Sequence, residues 1–201
     1  MRARASRRRR CASPACALTL AIVLLGVAGA CGVAAADASR FVPWSQPDTP
    51  PLTLKDLDGR ERSLPEYRGR VLLVNFWATW CEPCRDEMPS MRRLRDRLGG
   101  QPFDVLAVNY GESPSRVREF LAKEGLDLTV LVDPGQKAAR AWRVRILPSS
   151  FLIGADGRAR YSVLGELDWA REETVVMVRS ILPGRGVGTG STGPLGVRGG
   201  R

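Results

Sequence analysis

Short apolar runs alternate along the middle of the chain with segments whose apolar positions recur every three to four residues. Runs of the first kind are typical of buried strands, and segments of the second kind are typical of helices that cover a sheet. The predicted strands lie at 71–74, 103–109, 128–132, 150–153 and 159–164. The predicted helices lie at 81–98, from 113 onward, at 136–142 and at 168–182. This order predicts an α/β/α domain of three layers around a central mixed sheet.

Two Asp-Gly pairs mark tight turns between strands. Asp58 and Gly59 interrupt the segment 52–64, which predicts an N-terminal β-hairpin that extends the sheet. Asp156 and Gly157 separate the last two predicted strands, which should therefore pair in antiparallel fashion.

Local signals also set the ends of the predicted helices. Gly99 and Gly100 should stop the helix at 81–98, in which Leu94 and Leu98 face the core and Pro89 should cause a kink. The last helix has its own start signal, because aspartate is a favoured N-cap residue and Asp168 stands at that position.

The formal charge of +10 is concentrated at the two ends of the chain. Residues 1–40 contain seven arginines and one aspartate, and residues 184–201 contain three arginines and no acidic residue. The remainder, 41–183, holds 21 basic and 20 acidic residues, so it is nearly neutral. Bulk charge therefore does not argue for a nucleic-acid partner.

Residues 1–36 are interpreted as a targeting segment, in which an arginine-rich start precedes a charge-free, largely apolar run at 11–36. Three outcomes stay open: a signal peptide cleaved after Ala36, lipid attachment at Cys31, or an uncleaved membrane anchor, since about 20 apolar residues span a bilayer. The arginines should stay in the cytoplasm, which places 41–201 outside it, at the periplasmic or extracytoplasmic face of the membrane.

Three further segments follow. Residues 37–50 are polar and rich in proline and are interpreted as a semi-extended linker. The folded domain is expected at 51–183. The glycine-rich residues 184–201 lack apolar periodicity and are predicted to be a disordered tail.

The cysteines point to redox chemistry rather than to structural disulfides. Cys81 and Cys84 are the two in the predicted domain, and they are too close in sequence to join distant elements. The other three lie in the targeting segment: Cys11, Cys16 and Cys31. The chain has no histidine and no second Cys-x-x-Cys pair, so this domain cannot by itself complete a zinc site of the usual ligands. No metal is expected.

The predicted position of the pair explains what it can do. Cys81 should lie at a helix N-terminus, where unpaired backbone N–H groups and the helix dipole favour thiolate over thiol. Pro83 is tolerated in the first helical turn. Cys84, one turn further on, is close enough to attack a mixed disulfide formed at Cys81. The pair therefore predicts dithiol–disulfide exchange, with no cofactor other than the Cys81–Cys84 disulfide itself.

The run at 75–84, Asn-Phe-Trp-Ala-Thr-Trp-Cys-Glu-Pro-Cys, and the Arg-Asp-Glu-Met-Pro that follows it resemble the thioredoxin superfamily. The resemblance is closest to its membrane-linked extracytoplasmic thiol–disulfide oxidoreductases, the TlpA, ResA and CcmG/DsbE group. It implies a thioredoxin-like fold and a protein disulfide reductase acting on disulfide-containing proteins. Such substrates include apocytochrome c before haem attachment and oxidised copper-binding cysteines in oxidase assembly. The family's electron donor is a membrane protein of the DsbD or CcdA kind.

The resemblance also assigns a substrate-binding surface. Pro148 matches the cis-proline that lies against the cysteine pair, and its neighbour Leu147 should pair with the substrate chain. Trp80 and Pro83 are expected to complete this surface. Ile146 stands where the family often has glycine, and its bulk should narrow the groove.

Acidic residues near the thiols are expected to affect proton handling. Glu87 matches a carboxylate that some ResA-like proteins keep near the thiols for proton transfer; the alternative is a solvent-exposed helix residue. Glu82 places a negative charge beside Cys81 and should disfavour its thiolate. Asn75 occupies the strand position where cytoplasmic thioredoxins carry a buried aspartate.

Two other functions remain as alternatives. A thiol peroxidase resembles a Pro-x-x-x-Thr-x-x-Cys frame, but position 74, seven residues before Cys81, is valine. A thioredoxin-like copper carrier would use two thiolates for copper(I), but the Cys-x-x-x-Cys spacing and distant histidine of Sco-like carriers are both missing.

Overall fold

A computed structural model describes residues 40–184. The predicted targeting segment at 1–36 and almost all of the predicted tail at 184–201 lie outside these residues. Within 40–184, none of the helices combines the length and the apolar character needed to cross a bilayer.

The predicted mixed sheet is confirmed, and it has eight strands. They are β1 (Val42–Pro43), β2 (Thr53–Asp56), β3 (Glu61–Ser63), β4 (Val71–Trp77), β5 (Phe103–Tyr110), β6 (Thr129–Asp133), β7 (Ser149–Ile153) and β8 (Ala159–Leu164). Their order across the sheet is β1-β8-β7-β4-β5-β6-β2-β3. Strands β4, β5 and β6 run parallel, and the remaining pairs are antiparallel.

Strand β4 is central because both of its faces are covered, and all seven of its residues are buried. Leu73 and Trp77 point into one core cluster, and Leu72, Val74 and Phe76 point into the other. A strand covered on both faces has a continuous apolar sequence, and not one in which apolar and polar residues alternate. This strand leads directly to the two cysteines.

Helices cover both faces of the sheet, as the three-layer prediction requires. They are α1 (Glu82–Arg97), α2 (Pro114–Glu124), α3 (Lys137–Ala141) and α4 (Glu172–Ser180), with a 3-10 turn at Leu64–Tyr67. Helices α1, α2 and α4 contribute to one core cluster, and α3 contributes to the other. Leu94 and Leu98 are buried, as predicted. Pro89 lies inside α1, and the kink expected there stays a prediction.

The predicted N-terminal hairpin is confirmed. Thr53 pairs with Ser63 across β2 and β3, and the turn uses Gly59 at a φ of +82°. Glycine reaches this left-handed region without the steric cost that a side chain would bring. Strand β2 also pairs with β6, so the hairpin extends the main sheet.

The described part of the predicted linker at 37–50 belongs to the domain instead. Val42 and Pro43 form β1 and pair with β8, while Phe41 is buried edge-to-face against two other aromatic rings. Trp44 packs in the same way on the opposite core cluster. The linker prediction was wrong for these residues because the side chains of Phe41 and Trp44 anchor the segment to the two core clusters.

Asp168 is not the N-cap of the last helix, so that prediction was wrong. Helix α4 begins at Glu172 with Arg171 as its N-cap. The Asp168 carboxylate instead accepts a hydrogen bond from the backbone N–H of Ala170 at 3.0 Å. A short aspartate side chain that bonds the N–H two residues on holds the backbone in a turn, so the helix starts later.

Candidate active site

Cys81 and Cys84 form a disulfide at the start of α1, with their Cα atoms 5.3 Å apart. Cys81 is the N-cap residue, and its Sγ accepts a hydrogen bond from the backbone N–H of Cys84 at 3.3 Å. Cys81 keeps 6% of its surface exposed, whereas Cys84 is fully enclosed at 0%. Of the two sulfur-bearing residues, Cys81 is therefore the one that an external protein can reach.

Cys81 opens onto a surface groove with a volume of about 410 Å³. Three residues predicted to bind substrate, Trp80, Pro83 and Leu147, share its wall with Cys81. Trp80 and Ile146 are 62% and 51% exposed, so two large apolar side chains meet solvent in this wall. The rest of the wall consists of Glu82, Tyr110, Val144, Arg145 and Ile146.

Pro148 takes the backbone conformation that the resemblance implies. Its peptide bond with Leu147 is cis, and its carbonyl accepts a hydrogen bond from the N–H of Gly165 at 2.9 Å. Pro148 is itself buried and does not form part of the groove wall, whereas Leu147 does.

Glu87 is buried, with 3% of its surface exposed, which excludes the alternative of a solvent-exposed helix residue. One carboxylate oxygen, Oε1, accepts a hydrogen bond from Asn75 Nδ2 at 2.6 Å. The other, Oε2, accepts from the Leu167 N–H at 3.1 Å and from Trp169 Nε1 at 3.3 Å. Glu87 lies three residues after Cys84 on α1, a spacing that puts two side chains on the same helix face.

Burial raises the pKa of Glu87 from its ordinary 4.5 to about 7, although the hydrogen bonds from Leu167, Asn75 and Trp169 act in the opposite direction. Loss of hydration disfavours the charged carboxylate, and these donors recover only part of the cost. A group with this pKa can both accept and release a proton near neutral pH.

Asn75 connects Glu87 to the strand that follows Pro148. Its Nδ2 also donates to Ser150 Oγ at 2.8 Å, across the β4–β7 pairing, while its Oδ1 has no partner among the described residues. An amide carries both a donor and an acceptor. With its amide reversed, Asn75 could accept a hydrogen bond from the protonated form of Glu87. An aspartate at this position would instead place a second carboxyl beside Glu87.

A second buried carboxylate, Glu112, was not found by sequence reasoning. It accepts hydrogen bonds from the N–H and Oγ1 of Thr79 at 2.7 and 2.6 Å, from Asn109 Nδ2 at 2.8 Å and from Arg116 Nε at 2.9 Å. Partial burial acts to raise its pKa, but these donors outweigh burial and hold the pKa below its ordinary value. Thr79 lies two residues before Cys81, so Glu112 fixes the backbone that leads into the disulfide.

Glu112→Ala is expected to lower the free energy of unfolding by about 1–3 kcal/mol at pH 7, because it leaves buried donors of Thr79 and Asn109 unpaired. A carboxyl with a lowered folded-state pKa stabilises the fold above its ordinary pKa and loses that effect as pH falls. The difference from wild type should therefore shrink below about pH 4.5. Urea unfolding at pH 7 and at a pH below about 4.5 measures this difference in the free energy of unfolding. Glu124→Ala on the exposed end of α2 is the control, and equal losses in both variants would contradict the assignment.

The fold and the site together define the class: a thioredoxin-like domain with an accessible Cys-x-x-Cys disulfide at a helix N-terminus, and thus a thiol–disulfide oxidoreductase. The chain belongs to the AhpC/TSA family, whose model matches residues 46–162. Thiol-disulfide oxidoreductase ResA from Geobacillus thermodenitrificans (strain NG80-2) is 37% identical over 134 residues, which cover 67% of this chain and 76% of the relative. The ResA protein of Bacillus subtilis (strain 168) is 34% identical over 120 residues, 60% of this chain and 67% of that protein.

Solved structures agree with this class. A Chlorobium tepidum protein assigned as thiol:disulfide interchange protein DsbE superposes with a TM-score of 0.63 at 29% identity, over 68% of this chain and 96% of its own. StoA from Bacillus subtilis has the same fold, with a TM-score of 0.56 at 21% identity, over 65% of this chain and 99% of its own. The resemblance to the ResA and DsbE group is confirmed.

Proposed function

We propose that the protein acts mainly as a reductase of disulfide-containing proteins. The observation that carries this proposal is the asymmetry of the pair: Cys81 opens onto a groove, and Cys84 is enclosed behind it. An accessible first sulfur and a protected second sulfur suit a reaction that begins on one cysteine and ends on the other.

The reaction starts from the reduced pair. The Cys81 thiolate attacks one sulfur of the substrate disulfide, which forms a mixed disulfide and releases one substrate thiolate that takes up a proton. Cys84 then passes its proton to the Glu87 carboxylate and attacks Cys81 Sγ, which releases the second substrate thiolate. The substrate disulfide has gained two electrons, and the Cys81–Cys84 disulfide has formed.

The groove is proposed to hold the substrate chain on either side of its cysteine. Trp80, Pro83 and Leu147 supply apolar contacts beside Cys81. Leu147, the residue before Pro148, lies in this wall, and its backbone would pair with the substrate. Ile146 is exposed in the same wall, and its bulk restricts the size of the substrate residue next to the cysteine.

Oxidised enzyme must then be reduced again, for which we propose a membrane electron donor of the DsbD or CcdA type. The proposed substrates are the disulfide formed by the haem-binding cysteines of apocytochrome c and the oxidised copper-binding cysteines of oxidase assembly. Support comes from the likeness to proteins named ResA and DsbE. The thiol peroxidase alternative is less favoured, since position 74 is a valine buried in β4. Conversion of peroxide at a rate above that of a protein disulfide would reverse this choice.

The proposed location is the extracytoplasmic face of the membrane. It rests on the arginine-rich start and the apolar run at 11–36. Mass spectrometry of the mature N-terminus would distinguish cleavage after Ala36, a lipidated Cys31 and an intact anchor. A chain that starts at Met1 and is recovered from the cytoplasm would contradict this location.

The test of direction is the redox potential of the Cys81–Cys84 pair, measured by equilibration with glutathione. Glu82 is adjacent to Cys81, and its negative charge should disfavour the Cys81 thiolate, so we expect the reduced form not to be strongly stabilised. We expect a potential close to that of thioredoxin, about −270 mV, and Glu82→Gln should make the pair more oxidising. A potential close to about −120 mV, typical of a strong disulfide oxidant, would contradict the proposed direction.

A further inference from the structure

We propose that a charged cavity on the Glu87 side of α1 is the route by which this carboxyl exchanges protons with water while a substrate covers Cys81. The inference rests on the proposed function, in which Glu87 takes the proton of Cys84. It adds where that proton leaves the protein.

The cavity and the groove are separate openings. The cavity has a volume of about 360 Å³, and Glu87 is one of the residues that line it. The groove reaches Cys81. Among the described residues, 40–184, no residue lines both. Cys81 and Glu87 therefore line different surface openings at the start of α1.

The reaction needs a path by which the proton of Cys84 can leave the protein while substrate is bound. Cys84 has no exposed surface, and Cys81 is reached through the groove. A substrate held in a mixed disulfide occupies that groove at the moment when Cys84 must lose its proton. Water then cannot approach from the substrate side. Glu87, on the same helix face as Cys84, is left as the acceptor, and it must pass the proton on before the next turnover.

The cavity wall suits water rather than an apolar ligand. Its charged residues are of both signs: Arg40, Asp86, Arg93, Glu166, Asp168 and Arg171. Ser90 adds a hydroxyl that donates to the Glu87 carbonyl at 2.7 Å. A polar space of this size holds several water molecules, each of which takes up about 30 Å³ in the liquid.

The other groups that face Glu87 do not compete for its proton. On β4 and in the segment before α4, its hydrogen-bond partners are the neutral donors of Asn75, Leu167 and Trp169. The charged groups lie on the cavity side, and the negative charge of Glu166 is close enough to raise the pKa of Glu87. The proton thus passes from Cys84 Sγ to a Glu87 oxygen and then to cavity water, with no change in oxidation state at the last step.

Chemical rescue tests this route. Glu87→Ala removes the carboxyl and extends the cavity inward, so resolution of a mixed disulfide with a peptide should slow by about 10²-fold at pH 7. Added formate, acetate or imidazole should restore the rate in proportion to its concentration, because a small base can enter through the cavity. Stopped-flow fluorescence of a single turnover measures the resolution step.

A bulky side chain placed in the cavity wall tests whether the added base enters through the cavity or through the groove. In the Glu87→Ala background, Glu166→Trp at the cavity wall should reduce rescue at least about fivefold, the expected result of placing a bulky side chain at the entrance. The matched control is Glu119→Trp on the exposed face of α2, which should leave rescue unchanged. With Glu87 intact, Glu166→Gln should move the pH midpoint of resolution downward, since it removes a negative charge beside the carboxyl.

The outcomes distinguish the cavity route from the proton-accepting role of Glu87. Full rescue in the Glu166→Trp variant, equal loss of rescue in the control, or no rescue by any of the three bases would overturn the cavity route and leave the proton-accepting role of Glu87 in place. An unchanged resolution rate in Glu87→Ala would overturn that role and the route together.

Discussion

Cys84→Ser is expected to leave the attack on substrate intact and to stop the release of product. The serine hydroxyl cannot displace a sulfur under these conditions, so the mixed disulfide between Cys81 and the substrate should accumulate. Turnover should fall by at least about 10³-fold, because the covalent route loses its second step. The trapped partner should appear on a non-reducing gel and disappear when a thiol is added.

The matched variant is Cys81→Ser, which removes the accessible sulfur and keeps the enclosed one. It should be equally inactive and should trap little partner, because Cys84 has no exposed surface through which a substrate could reach it. Equal trapping by the two variants, or trapping by Cys81→Ser alone, would reverse the roles given to the two cysteines. Unfolding curves of both reduced variants would show that each one still folds.

The elements closest to the cysteines were predictable because their signals are local. The apolar run of β4 indicates burial on both faces of the strand. The Asp58-Gly59 pair indicates a hairpin turn with a glycine at positive φ. The N-cap position of Cys81 and the inclusion of Pro83 in the first turn are also set by neighbouring residues. These features depend on interactions within about one turn or one strand of the chain.

The remainder of the site depends on contacts between residues far apart in sequence. Glu112 bonds Thr79, 33 positions away, and Glu87 bonds Trp169, 82 positions away. Neither partner can be predicted from its spacing along the sequence, because many other polar residues stand at comparable sequence separations. The resemblance identified Glu87 as a residue near the thiols, but its burial and its bond to Asn75 follow only from the packing of α1 on β4.

The two wrong predictions concern the linker and the N-cap of the last helix. The composition at 37–50 favoured a linker, but the contacts that fix β1 are made by Phe41 and Val42 with β8, more than 100 positions later. Asp168 has the chemistry of an N-cap, but its carboxylate closes a turn two residues on. In both cases a weak local preference was overridden by a more specific interaction.

Glu87→Gln is expected to make the protein more stable and less active above neutral pH. In the folded state the pKa of Glu87 is about 7, against an ordinary value of 4.5. The folded protein therefore holds this proton more tightly than the unfolded chain does. The associated stabilisation is fully present below about pH 4.5 and is lost as pH rises to about 7. The loss amounts to about 3 kcal/mol.

A glutamine avoids this loss because it does not ionise, and the surrounding groups can accept it. Its oxygen can take the hydrogen bonds from Leu167 and Trp169 that Oε2 accepts in the wild type. Its amide would meet Asn75, whose Oδ1 lacks a partner among the described residues and can serve as the acceptor once that side chain is reversed. The variant should thus pack as the wild type does.

Two measurements on the same variant check the prediction. The free energy of unfolding, taken from urea titrations at pH 4.5 and pH 8, should be similar to wild type at the lower pH and higher by up to about 3 kcal/mol at the upper one. The single-turnover rate of resolution of the mixed disulfide should fall by about 10²-fold. Its pH dependence should no longer show the ionisation of a group with a pKa of about 7. Glu82→Gln, on the exposed first turn of α1, is the control for the loss of one acidic side chain from the same helix, and it should give no gain in stability of this size at pH 8. A purely structural role for Glu87 would lower stability and activity together. A gain in stability together with a slower resolution step would show that the buried carboxyl serves proton transfer and not stability. A variant less stable than wild type at pH 8 would refute that conclusion.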